Sequence, residues 1–183
     1  MLYIMRHGKT DWNALKKLQG QVDIPLNEDG EKAARAAHEK YKDINFDICY
    51  SSPLKRALKT AEIFLDGKDT PIITDDRLKE MSFGAFEGVT GYFDDPSCPI
   101  NDLFTNPTAH KQRNGAESFE ELSERTGSFL NEVIYPALEE GKDILIVGHG
   151  AMSCSLISHI RNTPLEKFWD NLLMNCEIEK LLP

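Results

Sequence analysis

The sequence predicts an α/β fold, a three-layer sandwich with a largely parallel central sheet flanked by helices. Three observations carry this. Short apolar runs alternate with helix-forming stretches, the order in which βαβ units are written. The clearest run, Asp143 to Val147 (DILIV), is apolar over its last four residues and reads as a buried strand. Three of the runs end directly in short segments holding Arg, His, Ser or Gly, which puts those segments where open α/β sheets bind ligands, beyond the strands' carboxyl ends.

In chain order, Leu2 to Met5 form a strand that opens at Arg6-His7-Gly8. Residues 27 to 42 are rich in Ala, Glu and Lys and read as a helix. Phe46 to Tyr50 return as a second strand ending at Ser51-Ser52. The stretch after it places Leu54, Leu58, Ala61 and Leu65 on one stripe, so a helix is expected with Ser52 as its N-cap, Pro53 in the first turn and Gly67 as its stop. Pro71 to Thr74 suggest a third strand. Ser118 to Glu121 match a capping box, and Phe119, Leu122, Thr126, Phe129, Leu130 and Val133 continue an apolar face. The DILIV strand then runs into Gly148-His149-Gly150 and an apolar helix through Ile160. The tail MNCEIEKLL fits a last edge strand. Between them, residues 84 to 115 hold Pro96, Pro99 and Pro107 and lose periodicity, so they are read as a lid or substrate-pocket insertion in one domain spanning 1–183.

Composition narrows the function classes. Lys plus Arg total 21 against 30 Asp plus Glu, a formal net charge of −9, which argues against a nucleic-acid binder or a binder of acidic membranes. An anionic substrate would need a local cationic pocket. The cysteines Cys49, Cys98, Cys154 and Cys176 are widely separated, without a disulfide framework or C-x-x-C spacing. Arg6, His7 and Lys9 arrive too early for a signal-peptide apolar region, and no apolar run reaches the roughly 18 residues of a span. A cytoplasmic, soluble protein is expected, and a homodimer is allowed. His7, His149 and Cys154 lack zinc spacing, and no nucleotide-binding glycine loop occurs, so no metal and no cofactor is expected.

The candidate chemistry lies at the strand ends. Phosphoryl transfer needs an in-line nucleophile, cations around the phosphoryl oxygens and an acid for the leaving alkoxide. Arg6 and His7 supply a cation and a nucleophile side by side, and Gly8 lets the backbone approach a phosphate. A histidine flanked by glycines, His149, follows a second strand. Arg56, at the start of the helix after Ser52, is placed so that a guanidinium and helix N–H groups both face an anion. Lys55 and Lys59 read instead as solvated helix charges. Glu80, before the irregular segment, would on its own pass as a surface carboxylate.

These residues fall in five ordered blocks. Arg6-His7-Gly8-Lys9-Thr10 with Asn13, Gln19-Gly20, Asp23 to Leu26 and Gly30 resembles the opening of the histidine phosphatase superfamily, also called phosphoglycerate mutase-like. Ser51 to Ala57 with Thr60 to Glu62, then Leu78 to Glu80 with Phe83-Gly84 and Glu87-Gly88, are similar to its next blocks. Gly115 to Ser118 and Val147 to Gly150 complete them. The resemblance implies the phosphoglycerate mutase-like fold, a metal-independent phosphatase type such as the α-ribazole phosphatase-like proteins, and a small phosphorylated metabolite as substrate. It also implies that His7 becomes a transient phosphohistidine, with Arg6, Arg56 and His149 on the phosphoryl oxygens and Glu80 as acid and then base. Gly8, Thr10, Asn13, Gln19, Gly20 and Gly150 would help line the phosphate pocket.

Two departures stand out: Lys9 replaces the family's usual Glu, and the chain beyond residue 165 is short. Neither is expected to touch the nucleophile. A mutase-type phosphotransferase is disfavoured because Glu80-Met-Ser-Phe-Gly84 stands where the mutases carry Glu-Arg-His-Tyr-Gly. A non-catalytic phosphate-binding protein on the same fold is the third reading. The complete set Arg6, His7, Arg56, Glu80 and His149 speaks for catalysis.

Overall fold

The computed structural model describes residues 1–183. Strand β1 is Leu2–Arg6 and leads into the one-turn helix α1, Asp11–Ala14; helix α2 is Glu28–Lys40, with Asn27 capping it by accepting from the Gly30 N–H. Strand β2 (Ile48–Ser51), helix α3 (Lys55–Phe64) and strand β3 (Ile72–Thr74) follow. After a long connection that includes α4 (Asn101–Thr105), helix α5 (Phe119–Phe129) begins at the expected Ser118 capping box. A π-turn over Leu130–Ile134 joins it to α6 (Tyr135–Glu139), and Pro136, which lacks the N–H that the regular ladder needs, sits just past that turn. Strand β4 (Ile144–Gly148), helix α7 (Gly150–Arg161) and the C-terminal strand β5 (Ile178–Leu182) complete the chain.

The sheet order is β3-β2-β4-β1-β5, parallel except for β5, which runs antiparallel to β1 at the edge. Alternation along β4 covers both faces, which is why the run is apolar throughout. Ile144 and Ile146 pack with Phe129, Ile134, Met152 and Leu156 on one side. Leu145 and Val147 pack with Ala57, Ala61 and Phe64 on the other. Pairing aligns Arg6 with Gly148 and Ser51 with Val147, so the three strands end at one level and deliver their following residues to one edge.

Ser52 does not cap α3. The helix starts at Lys55 after Leu54 with no side-chain cap; the Ser52 hydroxyl accepts from the Leu54 N–H at 3.3 Å, before the helix, and from His149 Nε2 at 2.8 Å, while the first helical N–H, that of Lys55, donates to Asp23 Oδ1 at 2.7 Å. Gly67, at φ +73°, does end the segment. Residues 84 to 115 are not loose. Ile100 and Leu103 are fully buried in a third apolar cluster with Phe83, Phe86, Phe119 and Phe168, which seats the segment on α5 and the C-terminal region. No helix is long and apolar enough to cross a membrane.

Candidate active site

A cavity of about 250 Å³ opens at the carboxyl edge of the sheet. Arg6, His7, Arg56 and Glu80 line it, with Asn13, Gln19, Gly20 and Gly150 beside them. Segments following β1, β2 and β4, the three that the sequence aims at this edge, thus meet there, joined by Glu80. Gly8, Thr10 and His149 lie behind this lining.

His7 is 2 % exposed, and its Nδ1 is 2.6 Å from the Gly8 carbonyl oxygen. A carbonyl only accepts, so Nδ1 carries the proton and Nε2 keeps its lone pair. Burial, first, and then the charges of Arg56 and Arg6 hold the His7 pKa well below the ordinary histidine value. The side chain therefore meets a substrate as a neutral imidazole with one free nitrogen. Asn175 donates to the His7 carbonyl at 2.9 Å, and Arg6 Nη1 donates to the Leu173 carbonyl at 2.7 Å. The C-terminal segment consequently does touch the His7 backbone, contrary to the sequence expectation; it returns beside β1 to form the edge strand and passes the site on the way. Lys9 is exposed and outside the cavity lining.

Arg56 is fully buried, an expensive position for a guanidinium unless its donors are used. Three of its N–H groups are: Nε donates to His149 Nδ1 at 3.2 Å, Nη1 to the Val22 carbonyl and Nη2 to the Gly20 carbonyl at 2.7 Å. Two of the five remain for an anion in the cavity. Burial lowers its pKa to about 10, with Glu80, Asp23 and Glu87 opposing that fall, so it stays charged at neutral pH. Arg6 Nε is buried without a partner, a second unsatisfied donor in a cavity-lining residue.

His149 accepts from Arg56 at Nδ1, so its Nε2–H donates to Ser52 Oγ at 2.8 Å. Burial and the Arg56 charge keep it neutral. Its ring centroid lies 5.0 Å from that of His7. Both of its ring nitrogens are engaged, on Arg56 and on Ser52. Thr10 holds Asn13 and Gln19: its hydroxyl donates to Gln19 Oε1 at 2.9 Å and accepts from the Asn13 N–H at 3.2 Å, and its backbone N–H donates to Asn13 Oδ1 at 3.1 Å. A Cβ at Gly8 would stand 2.7 Å from the Gly30 carbonyl oxygen of α2, so packing against that helix also requires glycine there. A Cβ at Gly150 would stand 3.2 Å from the Leu172 side chain at the cavity.

Glu80 sits on the N-terminus of α7. Its Oε1 accepts from the Met81 and Met152 N–H groups at 2.9 and 3.0 Å, and Oε2 from Ala151 at 3.3 Å. Sequence reasoning missed the residue behind it. Arg125 on α5 donates to the carbonyls of Arg77, Lys79 and Glu80 and pairs with both carboxylate oxygens of Glu117. Their spacing of eight residues gave no signal. Of the 84–115 segment, Tyr92, Phe93 and Phe104 reach the lining, whereas His110, Lys111 and Arg113 lie outside it, and His110 and Arg113 are paired with Asp102. No group of three or more His, Cys, Asp or Glu side chains comes together as a metal site would require.

Comparison with known proteins agrees with this geometry. The chain is 40% identical over 159 residues to the Bacillus subtilis protein described as uncharacterized phosphatase PhoE, covering 86% of this chain and 75% of that one. It is 34% identical over 182 residues to probable phosphoglycerate mutase GpmB of an Enterobacter species, covering 98% and 83%. Among solved structures, the Entamoeba histolytica phosphoserine phosphatase in complex with 3-phosphoglyceric acid superposes with a TM-score of 0.81 at 30% identity, over 97% of this chain and 87% of that chain. A family model of the histidine phosphatase superfamily, branch 1, matches residues 2–183, and the chain belongs to that superfamily.

Proposed function

We propose that the protein hydrolyses a small phosphomonoester through a phosphohistidine on His7, without a metal. The observation that carries this is the His7 tautomer: Nδ1–H is fixed on the Gly8 carbonyl, leaving Nε2 as a lone-pair nucleophile between two guanidinium groups. In the first step Nε2 attacks phosphorus and the ester P–O bond breaks. Arg6 and the free N–H groups of Arg56 balance the charge on the phosphoryl oxygens, and Glu80 protonates the departing alkoxide. In the second, Glu80 takes a proton from water, the water oxygen attacks phosphorus, and the P–N bond breaks to release inorganic phosphate and free His7. His149 holds Arg56 in place, and Thr10 does so for Asn13 and Gln19. All of these groups come from one chain, so the reading needs no partner subunit. Four free cysteines fit a cytoplasmic setting.

The mutase relative favours a second reading, transfer of the phosphoryl group back to a phosphoglycerate. An assay with EDTA present separates them. Release of inorganic phosphate from p-nitrophenyl phosphate and at least one phosphometabolite is expected, with slow interconversion of 2- and 3-phosphoglycerate. Interconversion faster than phosphate release would make the mutase reading correct. Phosphate binding with no turnover of either kind would leave a non-catalytic binder.

A further inference from the structure

The His7 backbone is held from outside its own strand. Its N–H donates to the Gly148 carbonyl at 2.9 Å, whereas its carbonyl takes its donor from the far end of the chain, Asn175 Nδ2 at 2.9 Å. The other end of the same peptide unit, the Gly8 N–H, donates to Thr60 Oγ1 of α3 at 3.0 Å. The His7–Gly8 peptide plane is thus gripped at both ends by side chains 168 and 52 residues away. The next carbonyl along, that of Gly8, is the one that fixes His7 Nδ1–H. The setting of this one plane is therefore linked to the direction in which His7 Nε2 points.

The segment that delivers Asn175 is a tight turn under strain. The Glu177 N–H donates to the Met174 carbonyl at 3.0 Å, and the Glu177 carboxylate accepts from the Met174 N–H at 2.6 Å. Cys176, the third residue of the turn, stands at φ +57°, a left-handed conformation that turns ordinarily give to glycine or asparagine. Its neighbours enforce it: the Cys176 N–H donates to the Arg6 carbonyl at 3.0 Å, the Arg6 N–H to the Glu177 carbonyl at 3.1 Å, and Arg6 Nη1 to the Leu173 carbonyl. Such strain persists only where the surroundings over-determine it, and it clusters where geometry serves function. Leu173, Asn175, Cys176 and Glu177 each bond Arg6 or His7, while Met174 is 71% exposed.

We propose that Asn175 is a positioning residue for the nucleophile: together with Thr60 it clamps the His7–Gly8 peptide, so that Nε2 keeps a single aim. This role rests on the phosphatase reading, in which His7 is the nucleophile; the grip on the peptide stands without it. Arg56 is held by His149, Val22 and Gly20, and Glu80 by Met81, Ala151 and Met152. Loss of the Asn175 amide therefore acts on the attacking atom and leaves the Arg56 cation and the acid in place. A reacting atom misplaced by about 1 Å slows a reaction by as much as about 10²-fold.

Asn175→Ala, which removes the donor, tests it. Phosphoenzyme formation in single turnovers should slow by about 10- to 100-fold, equally for alkyl phosphates and p-nitrophenyl phosphate, because attack is impaired and proton donation is not. The dissociation constant of inorganic phosphate should change by less than about twofold, since the loss falls on the chemical step. Asn175→Gln, which keeps the amide, should recover part of the rate, and Met174→Ala, in the same turn, should leave it unchanged. Thr60→Val, which frees the other end of the plane, should slow the step as well, with little further loss in the double variant; additive losses would mean two independent contacts and overturn the shared clamp. Hydrogen exchange gives a readout that needs no turnover: the Gly8 amide should exchange at least about tenfold faster in Asn175→Ala. A lower unfolding midpoint with an unchanged rate per folded molecule and an unchanged Gly8 amide would make Asn175 structural only and overturn the proposal. A faster Gly8 amide in a protein whose wild type forms no phosphoenzyme would sink the phosphatase reading and keep the clamp, whereas wild-type turnover that Asn175→Ala does not slow would do the reverse.

Discussion

His7 and His149 are both buried, both neutral, and both read by their partners into one tautomer. Each has a folded-state pKa below that of the unfolded chain, so their neutrality is no burden above pH 6.5 and becomes one below it. As pH falls past 6.5 the unfolded chain takes up protons that the native state refuses. Stability should therefore drop by up to about 1.4 kcal/mol per pH unit for each histidine until its folded pKa is reached. Nitrogen-detected NMR at pH 6 should find His7 Nε2 unprotonated; a His7 midpoint at or above 6.5 would contradict the assignment. Glu80 supplies a second residue-scale test. An alkyl leaving group needs a proton in the transition state, whereas p-nitrophenolate does not, so Glu80→Gln should slow phosphoenzyme formation from alkyl phosphates by roughly 10²- to 10⁴-fold and from p-nitrophenyl phosphate far less. Small, equal effects on the two substrates in single-turnover measurements would remove Glu80 from the first step.

At the scale of elements, Glu80, the acid of the proposed mechanism, is positioned by α5 and α7 together. Backbone amides at the start of α7 hold the Glu80 carboxylate, and Arg125 of α5 ties down the carbonyls before it. The Arg125 and Glu117 side chains are 19% and 12% exposed, so Arg125→Met should cost about 1–3 kcal/mol in denaturant unfolding, less than a fully buried pair. Because the change also loosens Glu80, kcat should fall more for alkyl phosphates than for p-nitrophenyl phosphate, with partial rescue by Arg125→Lys. An unchanged leaving-group dependence would limit Arg125 to stability. Strands and helices were legible in the sequence because their apolar periods are strong and Ser118 carries a full capping box. The start of α3 was not. A serine followed by proline looks like a cap, and only the fold brings Asp23, 32 residues away, to the Lys55 N–H. Arg125 and Glu117 were silent for the same reason, since a charged pair spaced eight residues apart has no local signature.

In the whole molecule, a net charge of −9 coexists with a cationic pocket because the sheet aligns the ends of β1, β2 and β4, bringing Arg6 and Arg56 together. That convergence was readable, since polar triplets after apolar strands can point only to the sheet's edge. The packing of residues 84 to 115 was not readable, because aperiodic segments are shaped by tertiary contacts such as those of Ile100 and Leu103. Nor was the closing role of the C-terminal segment, whose Leu173 carbonyl and Asn175 side chain reach the backbone and guanidinium of the first strand. Everything in this arrangement is directed at one atom, His7 Nε2. Rapid quenching after mixing with radiolabelled phosphomonoester, followed by peptide mapping, tests that directly. The account predicts an acid-labile, base-stable phosphoryl group on His7, absent together with turnover in His7→Ala. Turnover by His7→Ala near the wild-type rate, or a phosphoryl group trapped on any other residue, would contradict it.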